Sequence, residues 1–182
     1  MTTAKIDPMS HSPATPHLQV RHVNYRDARD ADALVALLDL YARDPMGGGE
    51  PLPEDVKRRL PSDLAAQPGA FSVIAWARSD QGREEAVGLA NSFLGFSTFK
   101  SRPLLNIHDM AVHPDHRGRG VGQALLAAVE QHARQLGCCK LTLEVLSGNA
   151  VAQASYQRFG FAQYQLDPAA GQALFMQKWL VP

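Results

Sequence analysis

Residues 117–122 read Arg-Gly-Arg-Gly-Val-Gly, and both the side chains and their absence suit one task, holding an anion. Gly118, Gly120 and Gly122 can take backbone angles that other residues avoid, so successive main-chain N–H groups can turn inward as a nest. Arg117 and Arg119 add two cations beside it. The residues that follow have the apolar spacing of a helix, whose first-turn N–H groups have no intrahelical partner and whose dipole is positive at that end. An apolar strand, Leu104 to His113, enters the loop through Pro114. Strand, glycine loop and helix together predict a site for a pyrophosphate-bearing ligand.

Spacing excludes two well-known phosphate loops. The P-loop needs Lys followed by Ser or Thr after its last glycine, and here Gly122 is followed by Gln123-Ala124. The dinucleotide fingerprint G-x-G-x-x-G fails in register: from Gly118 its last position falls on Gln123, and from Gly120 on Leu125. The pattern that fits is R-x-x-G-x-G, from Arg117 to Gly122.

This pattern resembles the acetyl-coenzyme A loop of the GNAT superfamily of N-acetyltransferases. Downstream, Asn149 to Phe161 (NAVAQASYQRFGF) is similar to that family's N-x-x-A-x-x-x-Y-x-x-x-G-F segment, and Ala86 to Ala90 looks like its third strand. The two motifs stand in the family's order, and the resemblance runs from about Val20 to Trp179. It implies a co-substrate, acetyl-coenzyme A, held by the main chain of Met110, Ala111 and Val112, by the loop residues Arg117, Gly118, Arg119, Gly120, Val121 and Gly122, and by Asn149, Ser155 and Tyr156. An N–H of Met110 or Val112 would face the thioester oxygen. The strand around Asn106-Ile107-His108-Asp109 resembles the diamine and polyamine branch, in which a Glu-Asp pair precedes the loop, with His108 replacing the Glu. Loss of that acidic group argues against a polycationic substrate.

Acetyl transfer to an amine needs a held thioester, a neutral nucleophile, a stabilised oxyanion and a proton for the departing thiolate. Tyr156 stands where the family places the tyrosine near the coenzyme sulfur, and a phenol of pKa about 10 can protonate a thiolate of reference pKa about 8.5 given close geometry. A bare tyrosine on an apolar helix stripe would otherwise be read as core. For the base, strict strand alternation puts Asn106 and His108 on one face and Asp109 with Leu105, Ile107 and Ala111 on the other. An imidazole of reference pKa about 6.5 can take a proton from an ammonium near neutral pH. Asp109, if buried, must be partnered, as a structural group or an orienter of the amine. Glu144, on the next strand, is a third candidate. Two further readings stand beside catalysis: a sensor that binds acyl-coenzyme A without turnover, and an acyltransferase using another acyl group or acceptor.

The elements that must position these groups follow from periodicity. Met1 to His17 is proline-rich and aperiodic and is expected to be a disordered tail, with one domain from 18 to 182. Leu18 to Tyr25 alternates as a strand. Asp27 to Arg43 carries Leu34, Leu38 and Tyr41 at helical spacing, with Asp27 or Asp30 as cap. The run Met46 to Pro53 cannot be regular structure, and the family resemblance implies that the loop Asp44 to Pro53, with its flanking helices, is the acceptor wall. Glu54 to Ala66 is a helix distorted by Pro61. Phe71 to Arg78 and Glu85 to Phe99 form a hairpin whose second arm bends near Gly95. Gly120 to Leu136 is a helix stopped by Gly137. Lys140 to Leu146 is a strand, Asn149 caps a helix ending at Gly160, and Phe161 to Gln165 and Leu174 to Leu180 are expected to close the sheet. The architecture is α/β (α+β): a mixed, mostly antiparallel twisted sheet of six or seven strands flanked by four helices.

Composition bounds the function classes. The 182 residues are 45% hydrophobic and carry 18 basic and 18 acidic side chains, so no global field favours nucleic acid or an anionic membrane. No apolar run is long enough to span a bilayer and no signal peptide is evident, which gives a cytoplasmic expectation. Cys138 and Cys139 are adjacent and poor partners for each other, and the histidines lack metal-ligand spacing. The long arm from Glu85 to Phe99, the strand from Leu174 to Leu180 and the habits of related enzymes suggest a homodimer.

Overall fold

The computed structural model describes residues 17–78, 81–164, 169, 171 and 173–180. Its elements are β1 (His17–His22), α1 (Ala28–Ala42), α2 (Glu54–Ala66), β2 (Ala70–Arg78), β3 (Glu84–Ser97), β4 (Arg102–Val112), a 3-10 turn (Pro114–His116), α3 (Val121–Gln135), β5 (Leu141–Leu143) and α4 (Ala150–Phe159). The strands form one sheet in chain order. The first three pairings are antiparallel and β4–β5 is parallel. The parallel pair follows from the connection, because a chain that crosses back over the sheet through a helix such as α3 returns in the same direction.

Helices cover both faces. Leu125, Leu126 and Val129 of α3 are fully buried against one face, in a cluster with Val73, Ala75, Val87, Leu105 and Ile107. On the other face Leu34 and Leu37 of α1 and Leu64 of α2 pack with Ile74, Trp76, Leu89 and Ala111. Each large aliphatic side chain so buried contributes about 1.5–3 kcal/mol. The seating of α3 depends on Gly88 of β3, where a Cβ would lie 2.8 Å from Val121 Cγ1 and 3.0 Å from Leu125 Cδ1. That contact sets how closely the helix behind the glycine loop approaches the sheet.

The caps are those the sequence suggested. The Asp27 carboxylate accepts the Asp30 N–H, and Asn149 accepts the Ala152 N–H. Gly137 and Gly160 end α3 and α4 with φ of +69° and +108°. The α2 helix runs unbroken through Pro61.

Four expectations are corrected. The sheet has five strands among the described residues. Residues 161–164 and 173–179 are not strands, and Gln165 lies outside the described residues. Leu174, Phe175, Met176, Trp179 and Leu180 are all more than three-quarters exposed; an apolar run becomes a strand only where a ladder receives it, and no described strand pairs with this one. The strand expected from Lys140 to Leu146 is confined to Leu141–Leu143, the three residues that pair with β4.

The remaining correction concerns β3 and β4. Gly95 keeps regular register with Leu104. The irregularities lie elsewhere: Ala75 pairs with Gly88 and Trp76 with Ala86, leaving Val87 as an extra residue, while Asn91 pairs with Asp109 and Ser92 with Ile107, leaving His108 extra. A bulge shifts the alternation of everything beyond it. Leu105 and Ile107 therefore face α3, whereas Ala111 packs in the α1 cluster, and Asp109 shares the face of Ala111 rather than sitting among Leu105 and Ile107. Among the described residues no helix is long and apolar enough to cross a membrane.

Candidate active site

The glycine loop takes the form its residues permit. Gly118 and Gly120 are left-handed, with φ of +75° and +82°, and Gly120 is the residue that caps the start of α3. Gly122 serves closeness: its Cβ would lie 3.3 Å from Met110 Cε, so the first turn of α3 rests on the end of β4. Arg119 is exposed. Arg117 is tethered, its Nε donating to the Val112 carbonyl at 3.2 Å and its Nη2 to Asp44 Oδ2 at 3.0 Å.

Asp44 ties the α1–α2 loop to this corner. Its carbonyl accepts the N–H groups of Gly47, Gly48 and Gly49, and its other carboxylate oxygen accepts the Met46 N–H at 2.9 Å. The Met46 bond first, then Arg117, holds the Asp44 carboxyl below its ordinary pKa. A depressed carboxyl adds stability that is present above the unfolded pKa and lost as pH falls through the folded one. The stability advantage of the wild-type protein over Asp44→Asn should accordingly be present at pH 6–7, at about 0.5 kcal/mol for a part-exposed charge pair, and shrink below about pH 4. Melting curves of both proteins across that range test this; a pH-independent difference would mean that the ion pair contributes nothing.

Beside the loop, β4 has an open edge. Among the described residues β5 pairs with β4 only from Leu105 to Ile107, so the strands part beyond the His108 bulge. The His113 N–H is donated to the Val87 carbonyl on β3. Antiparallel alternation then directs the N–H groups of Met110 and Val112 away from β3 into the gap, while buried Ala111 bonds to β3.

The opposite wall is α4. Gln123 of α3 donates through Nε2 to both the carbonyl and the Oγ of Ser155, each at 3.0 Å. Ser155 thus anchors α4 to α3, and Asn149, with its Oδ1 engaged at 3.1 Å, anchors the N-terminus of α4. This fixes Tyr156, whose ring meets Phe161 edge-on at 5.9 Å. Burial, and secondarily the neighbouring Tyr41, raises the Tyr156 pKa, so it stands as a protonated phenol at neutral pH. Tyr41 is raised likewise, by burial and then by Asp109 and Asp44.

Tyr41 thus lies within electrostatic reach of Asp109 and of Tyr156, Tyr41 packing on the α1 side of the sheet and Tyr156 on the α3 side. Asp109 Oδ2 accepts from Asn91 Nδ2 at 3.0 Å. His108 is exposed on the bulge, its ring edge-on to Phe93 at 5.7 Å. Glu144 is exposed and 3.4 Å from Asn106 Nδ2. Sequence reasoning placed Asp44 at the start of the expected acceptor wall and Tyr41 on its flanking helix without giving either a role, and it missed Asn91. Tyr41 carried only the signal of helical spacing, and Asn91 lay in an apolar strand outside either motif. Two cavities, of about 250 Å³ beside Cys138 and Phe161 and about 240 Å³ beside His22 and His132, are lined by none of Tyr41, Asp109 and Tyr156. Among the described residues no group of three or more His, Cys, Asp or Glu could hold a metal ion.

A glycine nest at a helix start, next to a strand edge whose Met110 and Val112 N–H groups are directed away from β3, is a geometry suited to an elongated ligand that carries phosphate at one end. Residues 34–161 match the model of the acetyltransferase (GNAT) family, and the chain belongs to that family, whose co-substrate is acetyl-CoA. It is 40% identical over 89 residues to a streptothricin acetyltransferase of Streptomyces lavendulae, covering 46% of each chain. It is 31% identical over 163 residues to an L-methionine sulfoximine/L-methionine sulfone acetyltransferase of Pseudomonas paraeruginosa, covering 85% of this chain and 88% of that one. The chain thus spans about half the length of the first of these relatives. The fold is shared with the aminoglycoside N-acetyltransferase AAC(6')-Iy in complex with CoA, at TM-score 0.70 and 21% identity over 91% of this chain and 97% of that one.

Proposed function

We propose that the protein transfers the acetyl group of acetyl-CoA to a primary amine of a small molecule or peptide, by direct attack within a ternary complex. The observation that carries this reading is the left-handed glycine loop at the start of α3, set beside the open edge of β4 with α4, which bears Tyr156, held to α3 through Ser155. The loop N–H groups and Arg119 are suited to the pyrophosphate, with Arg117 bracing the loop through Val112 and Asp44. The N–H groups of Met110 and Val112 can pair with the pantetheine amides in the manner of an added strand and polarise the thioester carbonyl. Tyr156, kept protonated, gives its proton to the departing sulfur. On the acceptor side Asp109 receives the ammonium, and His108, exposed next to it, takes the proton that must leave before the nitrogen can attack. Glu144 lies farther along the same side and adds negative charge to the approach.

A free-thiol assay with acetyl-CoA and a broad amine panel tests the reading. Thiol release that depends on an amine is the expected result; coenzyme A binding without release for any amine would favour a sensor instead. With an accepted amine in hand, His108→Ala should move the acidic limb of the rate profile toward the pKa of the free amine, and activity should recover at high pH where the substrate is already neutral. A profile of unchanged shape would dismiss His108 as the base.

A further inference from the structure

Four polar side chains cross the sheet beneath α1 in one unbroken line. Tyr25 Oη lies 2.8 Å from Ser72 Oγ, Ser72 Oγ donates to Asn91 Oδ1 at 2.7 Å, and Asn91 Nδ2 donates to Asp109 Oδ2 at 3.0 Å. They come from the segment after β1 and from β2, β3 and β4. Ser72 and Asn91 are 1% and 2% exposed, and the apolar cluster on this face contains Val23, Ile74 and Leu89. Polar groups so buried are costly unless paired, and a fold of this size could have placed aliphatic residues there. The line also has a fixed direction. Because the Ser72 hydroxyl proton is given to Asn91, the Tyr25 hydroxyl must donate to Ser72. With its Oδ1 held by Ser72, the Asn91 amide cannot flip, and its NH₂ group is committed to Asp109.

We infer that Tyr25, Ser72 and Asn91 are positioning residues that orient the Asp109 carboxylate so that its second oxygen receives the ammonium of the acceptor. This rests on the acetyl-transfer reading above and adds to it a specificity device rooted far from the reacting atoms. The His108 bulge is what makes the line possible: it turns Asp109 onto the face where Asn91 waits. A carboxylate with one oxygen already bonded offers the other in a single direction, and a cationic nitrogen held there is located by a charge-assisted hydrogen bond. Neutral acceptors such as alcohols lack the charge to use it, so the ligand class is a protonated amine.

The test compares Tyr25→Phe, Asp109→Asn and the double variant, with Ser72→Ala as a second break in the line. Tyr25→Phe keeps its ring and removes only the hydroxyl. It should raise the amine KM about fivefold, the worth of roughly one hydrogen bond, with a smaller effect on kcat and none on the acetyl-CoA KM. In the Asp109→Asn background the same substitution should have no further effect on the amine KM, because the group through which it acts is gone. In the ligand-free protein Tyr25→Phe and Ser72→Ala should each displace the ¹³C resonance of the Asp109 carboxyl. An equal Tyr25→Phe effect in both backgrounds, or an unmoved carboxyl resonance, would overturn the inference. A displaced resonance in a protein that acetylates no amine would instead sink the acetyl-transfer reading and leave the positioning line standing.

Discussion

Replacing Tyr156 by Phe should lower kcat by about 10²-fold or more while leaving coenzyme A binding nearly intact. The substitution deletes one oxygen and keeps the ring that meets Phe161 edge-on, so the packing that holds α4 is preserved and stability should change little. The prediction is specific because the surroundings of Tyr156 favour its neutral form: burial and the nearby Tyr41 both oppose ionisation. A phenol in that state is a proton donor, and the group that needs a proton when the acyl bond breaks is the thiolate. Single-turnover kinetics with saturating acetyl-CoA and amine separates this loss from any change in binding. Wild-type turnover by Tyr156→Phe would return the residue to a packed aromatic at the edge of the core.

The second large effect belongs to the glycine loop. Coenzyme A at about a hundred times its dissociation constant stabilises a fold by about 2.7 kcal/mol, which for a domain of this length raises the melting temperature by roughly 5–10 °C. Gly120→Val should abolish that rise. The residue sits at φ +82°, a region in which a β-branched side chain costs about 1–3 kcal/mol, so the N–H groups at the start of α3 would turn out of line. A Cβ at Gly120 meets no atom from beyond its own stretch of chain within 4 Å. The free space there is where an anion can approach, and the loss of binding would not come from a disturbed core. Circular dichroism of the variant confirms folding before the ligand is added. An undiminished coenzyme A shift in folded Gly120→Val would remove this loop as the pyrophosphate site.

The local features of the chain are legible in its residues alone. Glycines at 118, 120 and 122 beside two arginines specify a nest at a helix start because only glycine takes those angles freely, and the Asp27 and Asn149 caps follow from side-chain oxygens placed just before apolar helical stripes. The order of strands and helices was legible for the same reason, since periodicities of two and of 3.6 are written residue by residue. The other features come from contacts between distant segments. The bulge at His108 has no sequence signature: it arises from how β4 registers on β3, and it alone moves Asp109 onto the face of Asn91 and Tyr41. Tyr41 reads as one more residue on an amphipathic stripe until the fold brings the Asp109 carboxylate within electrostatic reach of it. The tether of Arg117 to Asp44, 73 residues away along the chain, likewise has no local signature. The apolar run from Leu174 to Leu180 has the pattern of a strand, but pairing requires a partner edge. Pairing, register and ion pairing between distant segments depend on which surfaces the fold brings together, and no local pattern of residues encodes that.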